Sequence, residues 1–551
     1  MASSSSLKRQ SKQKSSKQVS EETSTLSAKE LKAQQRQAKK ARDALIAYTL
    51  AACAACSFVG LIISLIVDPV LGIGAGFGLL CLSLSFRYPR LAVYAFVAYI
   101  PFSGTITYAL GGSSILQLAK DAFYIPAAIA VMQFCRRKGL PFVIPKSLKL
   151  ALTLLLLLTT MTLLFVNVPQ QFSSGDQAIL IGILGLKTLV GYLFVIPCIY
   201  YLLRNREDLY FILRLQVVLI LVACSLGLVQ YFMLKTGICE GTTGSGADLF
   251  KASLKARCFV GGSLLYTPSQ GQIRLPGTFV APWQWGWFLI SSAFFSFGTA
   301  FSDRSPLWRT VGLVSMVAVF IMAVISGQRI ALMLVPTTVV ILAFLTGQVA
   351  NLKRFVPVGI GLALILTFLA IRNPEVIQAR LNSFQSRWDA SPPHLFIRNQ
   401  FLWVMNEQQG ILGRGVGRAT NAARIFGEVE LIETYHPKVC FEIGWLGLFA
   451  LLILYTVLTV ATFRAYRSTK EKNLRGYAAS MWVFVLFISY FPYYYPLDVD
   501  PVNVYYWLAA GIALKIPEID QRERLQASLE DPIQSGKAAK KLKSKKMVDF
   551  T

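Results

Sequence analysis

Long apolar stretches alternate with short polar ones along the chain, and that alternation sets the architecture. A helix needs about 20 consecutive apolar residues to cross the hydrocarbon core of a bilayer. Such runs fall at 44–67, 69–86, 91–110, 115–135, 149–168, 178–203, 211–234, 283–301, 311–327, 330–349, 356–371, 438–463, 478–492 and 503–516. They predict an all-α polytopic membrane protein with about 14 transmembrane helices and two large exoplasmic loops. The short polar segments check the count. With fourteen crossings the inner loops are "RYPR", "RRKGLPFVIPKSLK", "RNREDLYFILR", "SDRSPLWR", "NLKRF" and "RAYRSTKEKNLR", each with at least two basic residues, while the outer "QQFSSGDQ" and "YYPLDVDPV" carry none. Basic loops stay on the cytoplasmic side, so one missed crossing would invert every later loop. Both termini are then expected inside.

This divides the chain into a basic cytoplasmic arm (1–43), N-terminal transmembrane helices (44–234), an exoplasmic loop (235–282), central transmembrane helices (283–371), a larger exoplasmic loop (372–437), C-terminal transmembrane helices (438–516) and a basic cytoplasmic tail (517–551). The arm is rich in Ser, Lys and Gln and lacks an apolar h-region, which points to a retained first helix rather than a cleaved signal peptide.

Composition agrees. Of 551 residues 54% are apolar and 15% charged, against about 25% charged in soluble domains. That excludes a cytosolic enzyme, a secreted disulfide scaffold and a disordered chain. The net charge of +27 sits largely in the two ends and the inner loops. This is the distribution expected for anionic membrane lipids, not for nucleic acid.

Loops longer than about 15 residues are usually functional, so chemistry is sought in the two large outer loops. Cys239 and Cys258 both lie in the first, in a Gly-rich context where an exoplasmic compartment permits a disulfide. The other seven cysteines lie in or beside apolar runs and read as packing residues. His394 and His436 are the only histidines, and no metal-ligand spacing is present. In the second loop, Ile377, Leu381, Phe384 and Trp388 recur at helical spacing, with Arg380 and Arg387 on another face. Arg398 follows. Arg329 sits in the tight turn "ISGQRIALML". Arginines on the outer side run against the positive-inside bias, and their guanidinium groups suit phosphate oxygens; lipid phosphates or Glu375 and Asp389 are the other partners open to them. "GRGVG" lacks the spacing of a nucleotide loop and reads as a flexible turn. Lys187, inside an apolar run, could snorkel, pair with an acid or meet an anionic substrate; Lys120 and Asp121 are expected at the interface.

Four segments, in order, resemble the O-antigen ligase and polymerase superfamily, which joins lipid-linked glycans at the outer face of the bacterial plasma membrane. "RLPGTFVAPWQWGWFL" is similar to the family's Arg-x-x-Gly-Thr-Phe segment, with Trp283 in place of its Asn. "SGQRIAL" resembles its Ser-x-Ser-Arg turn. "RNQFLWVMNEQQGILGRGVG" resembles its Arg-x-x-x-x-Trp segment leading to Gly-x-Gly. "CFEIGWLGLFALL" resembles its Glu-x-Gly-x-x-Gly helix start. The resemblance spans residues about 270–460. The family's histidine falls on Glu433 in this chain, and His436 stands three residues on.

The resemblance implies a GT-C-like fold and a metal-independent inverting glycosyltransferase, a ligase or a polymerase, that needs no cofactor. The donor would be a polyprenyl-pyrophosphate-linked glycan, the acceptor a lipid or another glycan, and the location the plasma (inner) membrane of a bacterium. Arg329 and Arg398, then Arg274, Arg380 and Arg387, would bind the pyrophosphate. Glu433 or His436 would be the base. The alternative is a membrane transporter or export component for a small anion or a polysaccharide, with Lys187 and Asp121 on the path; a scaffold with basic arms is a third.

Overall fold

The structure, a computed structural model, describes residues 42–109, 119–173, 175–239, 257–263, 265–267, 272–348, 392–407 and 410–530, with isolated positions between 33 and 40 and between 360 and 389. The chain divides into two compact units, Met1–Arg87 and Tyr88–Thr551.

The first unit is a helical hairpin of α1 (Arg42–Ile66) and α2 (Pro69–Arg87). Glycine lets the two backbones meet: a Cβ added at Gly60 would lie 2.9 Å from the Gly72 carbonyl oxygen and 3.1 Å from the Gly76 Cα. Such close approach drives helix pairing in lipid, where apolar burial gives no advantage. At the other end of the hairpin the Tyr48 hydroxyl donates to the Ser83 carbonyl at 3.2 Å. Apolar side chains such as Leu65 (78% exposed) and Ile66 (77%) point outward, a surface that suits lipid.

The second unit holds the remaining elements. They are α3 (Pro89–Ala109), α4 (Asp121–Lys138), α5 (Leu148–Ser173), α6 (Ala178–Leu202) and α7 (Arg206–Lys235), then α8 (Pro282–Ser302), α9 (Pro306–Ile325), α10 (Arg329–Leu345), α11 (Pro393–Glu407), α12 (Tyr435–Ser468), α13 (Lys472–Tyr490) and α14 (Asp500–Glu530). Seven described helices, α1, α3, α5, α6, α7, α9 and α12, are long and apolar enough to cross a membrane. The protein is thus a multi-pass, overwhelmingly α-helical membrane protein. Helices also stand at the other expected spans, except 356–371, most of which lies outside the described residues. Most of the basic arm and of the tail lies outside them too. One expected boundary moves. Pro517 does not end the last helix, which continues to Glu530.

α8 is buried almost along its whole length, and α9, α10, α13 and α14 pack around it. Its small residues allow this. Ser296 and Ser315 share a hydrogen bond at 2.8 Å, and the Gly312 backbone lies against Ala300. Two short antiparallel β pairs precede α8. β1 (Arg257–Cys258) pairs with β2 (Gly261–Ser263), and β3 (Leu265–Thr267) with β4 (Gln272–Arg274). Cys239 and Cys258 are joined by a disulfide with their Cα atoms 5.4 Å apart, which ties the end of α7 to β1.

Charges inside apolar helices find partners. Lys187 pairs with Asp121, and Lys120 with Asp500. Tyr192 also donates to Asp500 at 3.1 Å. Of the three roles open to Lys187 in the sequence, pairing with an acid is the one observed. Lys120 is buried within the bundle, its ammonium neutralised by Asp500.

Candidate functional site

A cavity of about 290 Å³ opens where β4, the α9–α10 turn, α11, the segment before α12 and the α13–α14 connection converge. Arg274, Gly327, Gln328, Arg329, Ile330, Met333, Trp388, Pro393, Phe396, Glu433, Tyr493 and Tyr494 line it.

Arg274 ends β4, and the residues after it form a rigid bracket. The Leu275 N–H donates to the Ser326 carbonyl at 2.9 Å, fastening this strand to the turn that carries Arg329. Gly277 has φ 57°, and a Cβ there would come within 2.3 Å of the Trp285 ring, so only glycine fits. The Thr278 hydroxyl donates to the Pro101 carbonyl, and its own carbonyl accepts from the Gly104 and Thr105 N–H groups at 3.0 and 3.1 Å. Phe279 packs on Trp285 and Phe288, ring centroids 6.2 and 5.1 Å away. "RLPGTF" is therefore a support for one arginine. Arg329 is the first residue of α10, so its guanidinium adds to the positive end of the helix dipole.

Glu433 lies in the extended segment before α12, and its N–H donates to the Gln400 side chain at 3.2 Å. Burial pushes its carboxyl above the usual carboxylate range, and the Arg274 charge pulls against that shift. Burial, Tyr494 and Glu433 hold the Tyr493 phenol up at about 12, with Arg329 opposing. Two cations, a carboxyl and a phenol thus share one electrostatic environment.

The α13–α14 connection supplies the aromatic wall. Tyr494 (φ 59°) and Tyr495 (φ 36°) are consecutive left-handed residues, a conformation that costs bulky side chains about 1–3 kcal/mol each. Its neighbours enforce it. The Tyr435 N–H donates to the Pro492 carbonyl at 2.7 Å, the Trp287 Nε1–H donates to the Tyr494 carbonyl at 3.0 Å, and Thr434 and Tyr493 form a backbone bridge.

A buried ionic centre backs the wall. The Lys438 ammonium donates to Asp498 at 2.7 Å and to the Thr420 hydroxyl at 3.0 Å. Burial holds Asp498 up at about 6 despite that ammonium. Glu442 accepts from the Ala419 N–H at 2.9 Å and the Thr420 hydroxyl at 3.0 Å. Gly444, at φ 71°, sits where a Cβ would strike the Ile411 carbonyl oxygen at 1.9 Å. "GRGVG" is no flexible turn. The Arg414 N–H donates to the Phe441 carbonyl at 2.7 Å, and Asn167 brackets Val416, accepting from its N–H at 2.8 Å and donating to its carbonyl at 3.0 Å. The Glu-x-Gly-x-x-Gly segment clamps this loop.

The sequence candidates divide accordingly. Arg274, Arg329 and Glu433 line the cavity. Arg398 is exposed and does not. It lies two residues beyond Phe396 on α11, about 200° around the helix, so it faces away from the side that lines the cavity. Arg380 and Arg387 lie outside the described residues. His436 is buried (8% exposed) in the first turn of α12 and is not among the lining residues. Glu433 and His436 share no helical face, because the helix begins at Tyr435. Pro437 does not stop it: in a first turn the missing N–H would have had no partner anyway. His394 is exposed, and among the described residues no three His, Cys, Asp or Glu side chains gather as a metal site. Reading the sequence missed Gln328, Phe396, Tyr493 and Tyr494 as lining residues and took Trp388 only for an apolar helix face. The triple tyrosine before Pro496 was the one signal, hidden in what looked like an unremarkable outer loop. Compared with protein-family models the chain matches none, and a comparison with curated proteins finds no match either.

Proposed function

We propose that this protein is a membrane glycosyltransferase of the O-antigen ligase and polymerase kind, acting at the cavity on a polyprenyl-pyrophosphate-linked glycan. The observation that carries this reading is the convergence of Arg274, Arg329 and Glu433, from three separate segments, on one hollow. As the bond between sugar and diphosphate breaks, negative charge grows on the leaving group. Two guanidinium groups and the positive end of α10 stabilise that charge more than they stabilise the bound donor, which lowers the barrier.

Inverting transfer needs a base on the acceptor hydroxyl. Glu433 suits the role better than His436, because it borders the cavity and its raised pKa makes it a stronger proton acceptor than an ordinary carboxylate. The acceptor proton passes to Glu433, the acceptor oxygen bonds the anomeric carbon, and the electron pair of the broken bond leaves with the diphosphate. No metal or cofactor is assigned a step. In this reading fourteen crossings put the cavity on the outer face of a bacterial plasma membrane and both termini in the cytoplasm, and the polyprenyl tail lies in lipid.

The test is reconstitution in liposomes with a polyprenyl-pyrophosphate oligosaccharide donor and a glycolipid acceptor. Transfer is expected for the native protein, falling by about 100-fold in Arg329→Ala, the scale of losing one donor to a developing anion. Ion-coupled uptake of a small anion without glycan transfer would overturn the proposal in favour of transport.

A further inference from the structure

The cavity has a second pole that the charge chemistry does not use. Trp388, Phe396, Tyr493 and Tyr494 bring aromatic rings to it. Phe396 meets Tyr493 edge-on at 5.8 Å, and Tyr493 meets Tyr494 at 5.0 Å. Trp388 is 45% exposed. Beside them Gln328 also lines the cavity, only 9% exposed, and its amide Nε2 is buried with no hydrogen-bond partner among the described residues. A buried amide donor without a partner is costly and rare in a finished fold. Left-handed backbone at Tyr494 is likewise costly, and such strain collects where a ligand is gripped.

A diphosphate alone does not explain the aromatic wall, because it has no apolar face, although its oxygens can accept from the amide. A pyranose ring explains both. Its C–H face lies on an aromatic π surface, whose negative potential attracts those hydrogens, and its hydroxyl edge offers acceptors to an amide.

We infer that Gln328, Trp388, Tyr493 and Tyr494 form a subsite for the sugar ring next to the diphosphate, so that the cavity reads the carbohydrate as well as its charged anchor. This rests on the glycosyltransferase reading and names the residues that set its sugar specificity. The subsite's rings hold the ring plane, and the Gln328 amide selects a hydroxyl.

The experiment measures binding to the full-length protein in nanodiscs. The probes are a short-chain polyprenyl pyrophosphate, bare or carrying one N-acetylglucosamine or one galactose. At least one sugar is expected to tighten binding by about three- to tenfold, the scale of one good aromatic contact. Trp388→Ala and Gln328→Ala should each remove that gain and leave the bare lipid's Kd unchanged, whereas Tyr494→Phe, which keeps the ring, should retain it. Equal binding of all three probes by the native protein overturns the subsite, whatever the variants do. So does an equal weakening of bare and glycosylated probes in a folded Trp388→Ala. If the bare lipid binds and the sugar adds nothing, the subsite alone falls. If the bare lipid does not bind, the glycosyltransferase reading falls with it.

Discussion

Two arginine sites in the larger unit use the same side chain for opposite ends. Arg214 meets Asp303 bidentately at 2.9 and 2.8 Å. The carboxylate also accepts from the Tyr477 hydroxyl at 3.1 Å and the Ser305 N–H at 2.8 Å, and the guanidinium lies 5.1 and 5.2 Å from the Tyr210 and Trp308 ring centres. Asp303 is wholly buried. The Asp303 carboxylate is filled from inside the protein, so the pair serves the fold. Arg274 and Arg329 instead border a hollow, with a carboxyl whose proton affinity has been raised. The difference teaches that a charge's surroundings, rather than its presence in an apolar chain, separate architecture from chemistry.

The comparison can be tested at several points. Glu433→Gln keeps the shape and removes the base, and should lower transfer by about 10²–10⁴-fold with an unchanged thermal melt; activity within threefold of native would remove Glu433 from the chemistry. Asp303→Ala takes the acceptor from the buried Tyr477 hydroxyl and releases the partly exposed Arg214 guanidinium, and should cost about 1–3 kcal/mol, seen as a drop in Tm in detergent. A Tm within a degree of native would mean the pair is not structural.

Arg274→Ala should change the pH profile more distinctively than the rate. The Arg274 charge favours the ionised carboxylate, so its loss raises the Glu433 pKa further. A general base works only when ionised, so activity is lost as pH falls through that pKa, and the acid limb of kcat/KM must move to higher pH. An unmoved or downward-shifted limb breaks the coupling between the two residues. Smallest of all, Arg398→Ala should leave transfer within about twofold, as exposed substitutions generally do, and a loss comparable to that of Arg329→Ala would place Arg398 at the site after all.

Much of the fold was legible because lipid imposes a simple rule. Backbone polar groups must be satisfied within the segment, so apolar runs become helices, and most of the expected runs coincide with helices within a few residues. Legibility failed where packing decided. Pro517 looks like a helix stop but sits inside α14. "GRGVG" looks mobile, yet Asn167, some 250 residues earlier in the chain, holds it. Arg329 stood out as a charge on the outer side and Arg274 and Glu433 through the family resemblance, and the three line one cavity. Arg398 stood out equally and does not, since local sequence does not say which face of an isolated helix a cavity will adjoin.

By itself, then, the sequence determined the solvent, the helical class and the set of charges that apolar surroundings could not leave alone, because each follows from the free energy of moving a residue between water and hydrocarbon. Which of those charges became internal ties, as Lys187 and Lys438 did, and which came to border a hollow was settled only when distant segments packed. So were the left-handed turn at Tyr494 and Tyr495 and the burial of the Gln328 amide nitrogen with no partner among the described residues. These depend on contacts between residues hundreds of positions apart, and no local pattern of hydrophobicity encodes them.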